Sequence, residues 1–149
     1  MPAILNGVQV TEDQILSLYN AQYTQGLVYP TLTAGVTVVS AAANWTLGTV
    51  TQIIPAATVV APYHVSLVSI ESCDKDGVFE LTLYYGATDI KMSTIRFAVE
   101  GGYFGNQLYE VPSVKIPANN DKLSAALACS TGGAGAATIT ISVVYRVVV

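Results

Sequence analysis

Period-two alternation of apolar and polar side chains is the sequence feature that most constrains this fold. Residues 78–85 read VFELTLYY, and residues 138–147 read TITISVVYRV. In an extended strand successive side chains point to opposite faces, so each run has one face to bury. The residues predicted to face a core are Phe79, Leu81, Leu83 and Tyr85 in the first run, and Ile139, Ile141 and Val143 in the second.

Runs of this kind recur along most of the chain. They are rich in Val, Ile, Thr and Tyr, and clusters of Gly, Pro, Asn and Asp separate them. The runs are residues 35–41, 45–54, 63–73, 78–85, 93–100, 109–116, 122–129 and 137–149. About eight strands at this spacing predict an all-β fold, an antiparallel jelly-roll-like β-sandwich.

One helix is predicted, near the N-terminus. Thr11 can cap it, Glu12 and Asp13 suit the positive end of its dipole, and Gly26 can end it. We expect residues 1–36 to form an arm with this short helix and residues 37–149 to form the sandwich. The arm either packs on a neighbouring molecule or covers one end of its own sheet. Its apolar residues expected at an interface are Ile4, Leu5, Val8, Ile15, Leu18, Tyr19, Leu27 and Tyr29.

The chain has few charged residues, and this limits the kinds of partner that it can bind. Charged residues make up 11% of its 149 residues, against about 25% in average soluble domains. Residues 14–63 contain none, yet prolines and polar residues leave no run of about 18 apolar residues, so we expect no membrane span. The net charge of −4, with scattered Lys and Arg, argues against nucleic acid. A soluble chain of this kind is expected to bury outer surface against other protein, including copies of itself.

Two turn-like segments superficially resemble ligand loops. The glycine-rich run STGGAGA is followed by a period-two strand, whereas a phosphate cradle needs a helix at that position. Asp74-Lys75-Asp76-Gly77 lacks the remaining ligands of a calcium loop. Both segments are interpreted as hairpin connections between strands.

No catalytic constellation is recognisable, and the chain is not expected to be an enzyme. His64 is the single histidine, and no nucleophile or metal-binding motif surrounds it. Cys73 and Cys129 have no metal-ligand spacing, and two free thiols are favoured over a disulfide. No cofactor and no metal are expected.

Aromatic residues offer a second kind of site. The chain has nine tyrosines and one tryptophan, and exposed aromatics on a β-sandwich suit either subunit contacts or stacking on sugars. Subunit contacts are favoured because the chain is charge-poor. The candidates for glycan or subunit contact are Trp45, Tyr84, Tyr103, Phe104 and Tyr109.

The C-terminal third resembles small β-rich structural proteins of tailed bacteriophages. The resemblance rests on Val111, Pro112, Ile116, Pro117, Ala118, Leu123, Ala125, Ser130 to Gly133 and Thr138 to Tyr145. Those proteins have Gly-x-Arg where this chain has Asn119, Asn120 and Asp121. The resemblance implies a virion protein made in the bacterial cytoplasm. We expect a trimeric capsid decoration or cement protein on the capsid surface, which contacts the major capsid protein or other virion proteins. A glycan-binding or other structural module of a phage tail, neck or head fibre is the alternative.

Overall fold

The computed structural model describes residues 3–5, 8–11, 26–101, 107–112, 114–131 and 135–148, and for 3–5 and 8–10 the backbone only. Within these ranges the chain forms strands and no helix. The strands are β1 (Ala3–Leu5), β2 (Val8–Val10), β3 (Leu27–Tyr29), β4 (Val36–Val39), β5 (Thr51–Ile54), β6 (Tyr63–Cys73), β7 (Gly77–Tyr85), β8 (Ile90–Val99), β9 (Gln107–Glu110), β10 (Lys115–Ile116), β11 (Leu123–Cys129) and β12 (Thr138–Val147). The helix predicted at the N-terminus falls on residues outside the described part of the chain.

Two antiparallel sheets make up the body of the protein. In the six-stranded sheet β6 and β12 pair along most of their length, β3 and β4 both pair with the far side of β12, and β9 and β10 pair with β6. The four-stranded sheet has the order β5-β11-β7-β8. Strands β1 and β2 pair only with each other. The prediction of an all-β chain with antiparallel sheets is confirmed, and the arrangement is consistent with a β-sandwich.

The core lies between the two sheets, on the faces that period-two alternation predicts. Ile139, Ile141 and Val143 of β12 are fully buried, as are Phe79, Leu81 and Leu83 of β7. The Phe79 ring also stacks on that of Phe97, with centroids 5.1 Å apart. Burying one such side chain contributes about 1.5–3 kcal/mol. The alternation in these two strands therefore identified core residues correctly.

The two turn segments reverse the chain as predicted, but neither closes a hairpin. The Asp74–Gly77 turn joins β6 of the six-stranded sheet to β7 of the four-stranded sheet. The glycine-rich run likewise leads from β11 to β12, which lie in different sheets. The predicted hairpins are wrong because turn residues specify a reversal of the chain but not the strand with which the chain then pairs. The strand expected after the glycine-rich run is confirmed.

Three predicted segments differ from the observed strands in detail. The run at residues 45–54 joins the sheet only from Thr51, and Trp45 at its start has a left-handed backbone with φ of 52° in place of the predicted extended one. The run at 109–116 breaks around Pro112, which has no N–H to donate. Leu27–Tyr29, assigned to the arm, pairs with Val143–Tyr145. The division of the chain at residue 36 stays a prediction.

Candidate protein interface

The uncharged run of the sequence lies along one edge of the sandwich. Residues 26–62 contain no Asp, Glu, Lys or Arg. They supply β3 and β4 at the edge of the six-stranded sheet, β5 at the edge of the four-stranded sheet, and the connector of residues 40–50. The connector crosses between the sheets, because Ser40 is hydrogen-bonded to Ala137 beside β12 while Gly48 N donates to Leu127 O of β11 at 2.9 Å. Residues 26–62 therefore bring no Asp, Glu, Lys or Arg to this edge, where the Glu71 carboxylate of β6 accepts a hydrogen bond from Gly35 N.

Exposed large apolar side chains concentrate on this uncharged run. Within the described residues ten large hydrophobic side chains are exposed, and eight of them lie between residues 27 and 60. The eight are Leu27, Val28, Leu32, Val39, Trp45, Leu47, Val50 and Val60. Single exposed apolar residues are normal on proteins, but a concentration without charge is typical of a surface that binds other protein. We call residues 26–62 the uncharged edge.

Strands β3 and β4 are two parts of one interrupted edge strand. Both run antiparallel to β12, and Tyr29 pairs with Val143 while Val36 pairs with Ile141. The six residues between them leave the sheet as a loop. Gly35 N donates to Glu71 Oε2 at 2.9 Å, and Thr31 Oγ1 donates to Val28 O at 3.0 Å, so both ends of the loop are hydrogen-bonded. This outward loop interrupts a strand edge that could otherwise pair with another chain.

Leu32 lies in that loop and is fully exposed. Its relative accessibility is 102%, and its backbone has φ of 54°, in the left-handed region. A leucine in this conformation is uncommon, because its Cβ approaches neighbouring backbone atoms. The fold therefore presents an apolar side chain to solvent on a loop that is tied at both ends.

A shallow depression opens beside β4 on the same edge. Its volume is about 470 Å³, and it is lined by Val39, Ser40, Ala41, Leu47, Gly48, Thr49 and Thr51. Gly48 is required there, since a Cβ at this position would lie 2.0 Å from Val39 O. None of the lining residues carries a charge, and Val39 and Leu47 are 41% and 44% exposed. The depression suits an apolar group.

Trp45 lies where the uncharged edge meets the outer face of the four-stranded sheet. Its N–H donates to Cys129 O at 2.8 Å, and the Arg96 guanidinium lies 5.0 Å from the centre of its ring. Arg96 also pairs with Glu80 at 2.6 Å. A cation over an aromatic ring is a favourable contact, so the half-exposed indole is held by its backbone and by Arg96.

The structure describes only some of the predicted contact residues in the arm. Ile4 and Leu5 lie in β1 and Val8 in β2, with Leu5 opposite Val8, but only their backbone is described. Ile15, Leu18 and Tyr19 lie outside the described residues. Leu27 is 41% exposed, and Tyr29 packs partly against the core. Their role in an interface stays a prediction.

The predicted aromatic contacts lie in different surroundings. Tyr84 is half-buried and pairs with Ser124 across the four-stranded sheet. The neighbours of Ser124, Leu123 and Ala125, face the core. Ser124 and its partner Tyr84 therefore lie on the outer face of that sheet. Tyr109 points inward, with its ring 5.8 Å from that of Phe97. Tyr103 and Phe104 fall outside the described ranges. Sequence reasoning missed Arg96 and Leu32, because no local pattern marks either residue.

Signs of catalytic or metal chemistry are sparse in the described part of the chain. No group of three His, Cys, Asp or Glu residues there could hold a metal ion. A second depression, of about 430 Å³, lies on the outer face of the six-stranded sheet beside His64, Glu110 and Arg146. Among the described residues, no helix is long and apolar enough to cross a membrane.

Cys73 and Cys129 are both free thiols, and Cys129 is buried. Burial raises the pKa of the Cys73 thiol above its usual value, so less of it is thiolate at neutral pH. Burial also raises the pKa of Tyr63, whose hydroxyl donates to Asp121 O at 2.6 Å. Both shifts come mainly from desolvation, as is typical of structural groups.

Comparisons with known proteins gave fold-level likenesses only. No protein-family model and no curated protein matches the chain. A crystal structure of the VP2 subviral particle of infectious bursal disease virus is 14% identical, with a TM-score of 0.45 over 99% of this chain and 37% of that one. The structure of the Gx strain of that virus is 16% identical, with a TM-score of 0.41 over 83% of this chain and 32% of that one. This chain thus spans about a third of the length of the solved chains that it matches. TM-scores this low carry no argument about what this chain does.

Proposed function

We propose that this chain is a non-enzymatic structural protein of a virion, and more specifically a decoration or cement protein of a tailed-phage capsid. The observation that carries the proposal is the uncharged edge, where eight large apolar side chains are exposed. Such a surface is costly in water and is stabilised when another protein covers it, by about 25 cal/mol per Å² of apolar area. The resemblance of the C-terminal third to phage structural proteins supports a virion as the assembly.

The proposed mechanism is a clamp between neighbouring shell subunits. The β-domain packs against its own copies as a homotrimer at local symmetry axes, and the part of the predicted arm (residues 1–36) that precedes β3 lies across adjacent capsid subunits. Ile4, Leu5, Val8, Ile15, Leu18 and Tyr19 are the apolar arm residues proposed to contact the shell. The protein is made in the bacterial cytoplasm and then adds to the outside of the capsid.

Deletion of residues 1–25 tests the clamp. The truncated chain retains Gly26 and every strand of the two large sheets, so we expect a folded β-domain with the far-ultraviolet circular dichroism of an all-β protein and cooperative unfolding in urea. It should fail to bind purified shells that lack the full-length protein, as measured by co-sedimentation. Full occupancy of the shells by the truncated protein would contradict the arm as the attachment segment.

Glycan binding remains a second candidate because Trp45 and Tyr84 both lie at the outer face of the four-stranded sheet. The Arg96–Glu80 ion pair bridges β8 and β7, and Arg96 lies against the Trp45 ring. Aromatic rings beside polar groups can hold sugar rings. A glycan array with no hits, together with specific shell binding, would remove this candidate, whereas saturable binding that Trp45→Ala abolishes would favour it.

A further inference from the structure

We propose that copies of this chain contact one another by inserting Leu32 of one copy into the depression beside β4 of the next. The inference rests on the proposed function, in which the protein packs against its own copies, and it assigns the two surfaces that meet. We call Leu32 the knob. The socket is the depression lined by Val39, Ser40, Ala41, Leu47, Gly48, Thr49 and Thr51.

The knob, Leu32, projects from its loop into solvent. Leu32 has its full side chain in solvent, so it does not pack against the described residues of its own chain. The loop is nevertheless held in place, because Gly35 N donates to Glu71 on β6 and Thr31 Oγ1 donates to Val28 O. These hydrogen bonds restrict the loop backbone, so the backbone loses less conformational freedom when the loop binds, which favours affinity. The left-handed backbone at Leu32 is a strain that no internal contact of this side chain offsets.

The socket is uncharged and is lined by both apolar and hydroxyl-bearing residues. Val39 and Leu47 provide apolar walls, and Gly48 lets the connector pack directly against the β4 backbone, where a Cβ would lie 2.0 Å from Val39 O. The Gly48 N–H donates to Leu127 O, which fixes the floor to β11. The lining contains no charged group, so a leucine can enter without desolvating an ion.

A second copy of this chain is the occupant that the structure favours. Knob and socket lie on the same uncharged edge, yet Leu32 does not fill the socket of its own chain, since it is fully exposed. A projecting apolar group and a pocket elsewhere on the same molecule generate contacts from copy to copy, which close into a ring or a symmetric pair or, where the rotation does not close, extend as an open filament. Residues 26–62 bring no charge of their own to this contact, and the Glu71 carboxylate beside the loop accepts a hydrogen bond from Gly35 N.

Leu32→Asp tests the knob, with Leu108→Asp as the matched control. Leu32 is fully exposed, and Asp tolerates a left-handed backbone better than Leu, so this variant should keep its fold. Leu108 is 59% exposed in β9, which pairs with β6 on the side away from β12. Light scattering after size-exclusion chromatography should find an oligomer for wild type and for Leu108→Asp. Leu32→Asp should be monomeric at the same concentration, with the dissociation constant raised by about 10- to 100-fold or more.

Mixing two variants tests whether the knob enters the socket. Leu47→Asp should also be monomeric, because it places a charge in the socket. A mixture of Leu32→Asp and Leu47→Asp retains one intact knob and one intact socket, so we expect 1:1 heterodimers that neither variant forms alone. Failure to form heterodimers, or an unchanged oligomer for either variant, would overturn the proposal.

The outcome for the proposed function is read separately. A wild-type protein that stays monomeric but binds shells would overturn the knob-and-socket contact and leave the virion role standing. An oligomer that depends on Leu32, formed by a protein that is absent from virions, would support the knob-and-socket contact and overturn the virion role.

Discussion

Gly48 is the residue at which the structure makes its sharpest energetic prediction. A Cβ at Gly48 would lie 2.0 Å from Val39 O and 2.9 Å from the Ser40 carbonyl carbon. Both atoms belong to backbone, so no side-chain rotation relieves the clash. The connector would have to move by about 1.5 Å to restore an ordinary contact distance of ~3.5 Å, and this movement strains the Gly48 N to Leu127 O bond of 2.9 Å.

The cost of Gly48→Ala follows from these contacts. Overpacking typically costs about 1–3 kcal/mol, and loss of a backbone hydrogen bond with a partly buried donor adds about 1–3 kcal/mol. We therefore expect a loss of about 2–6 kcal/mol in the free energy of unfolding. At about 2–4 °C per kcal/mol for a chain of this size, a loss of ~3 kcal/mol lowers Tm by about 6–12 °C.

Urea denaturation followed by circular dichroism measures this change, with Gly26→Ala as a control. A Cβ at Gly26 would lie 2.9 Å from Val144 Cγ1, a half-buried side-chain atom that can shift, so its cost should stay below ~1 kcal/mol. Gly48→Ala should also weaken self-association, because the connector forms the socket. A Gly48→Ala protein within ~0.5 kcal/mol of wild type would refute the described packing of the connector against β4.

Three further predictions concern buried and stacked groups. Tyr63→Phe removes the hydrogen bond to Asp121 O, so we expect a loss of about 1–2 kcal/mol in urea denaturation at pH 7. Burial raises the pKa of Tyr63, so the contribution of its neutral hydroxyl to stability is fully present below pH ~10 and is lost as the pH rises above that value. Wild type should therefore lose more stability than Tyr63→Phe between about pH 9 and 11. Parallel curves of stability against pH for the two proteins would contradict this buried environment. In a Cys129→Ala background, Cys73 should react with a disulfide reagent more slowly in the native protein than in urea, because burial raises the pKa of its thiol. Equal reaction rates in the two conditions would show an accessible thiol with an ordinary pKa. Arg96→Ala uncovers part of the single tryptophan, so acrylamide should quench its fluorescence more strongly, while unchanged quenching would argue against the stacked contact.

The strands and their buried faces could be predicted from the sequence because period-two alternation is a local signal. Ile139, Ile141 and Val143 carry it in β12, and all three are fully buried. The pairing of strands could not be predicted in the same way. Asp76-Gly77 specifies a chain reversal, but whether β7 returns beside β6 or crosses to a second sheet depends on which faces the two strands bury.

The candidate interface was predictable in kind but not in detail. The missing charge over residues 14–63 indicated a surface buried in an assembly. The loop that presents Leu32 depends on the bond between Gly35 and Glu71, 36 residues apart. The stacking of Arg96 on Trp45 likewise joins distant parts of the chain. Contacts of this kind leave no periodic signal in the sequence.

The copy number of this chain in purified, DNA-filled phage particles tests the central claim most directly. Quantitative mass spectrometry of gradient-purified particles gives the molar ratio of this chain to the main shell subunit. We expect a fixed molar ratio that does not change on repeated purification, because a protein that clamps the shell occupies symmetry-related positions. Absence of the chain from filled particles, or a ratio that falls with each purification step, would contradict a structural role in the virion.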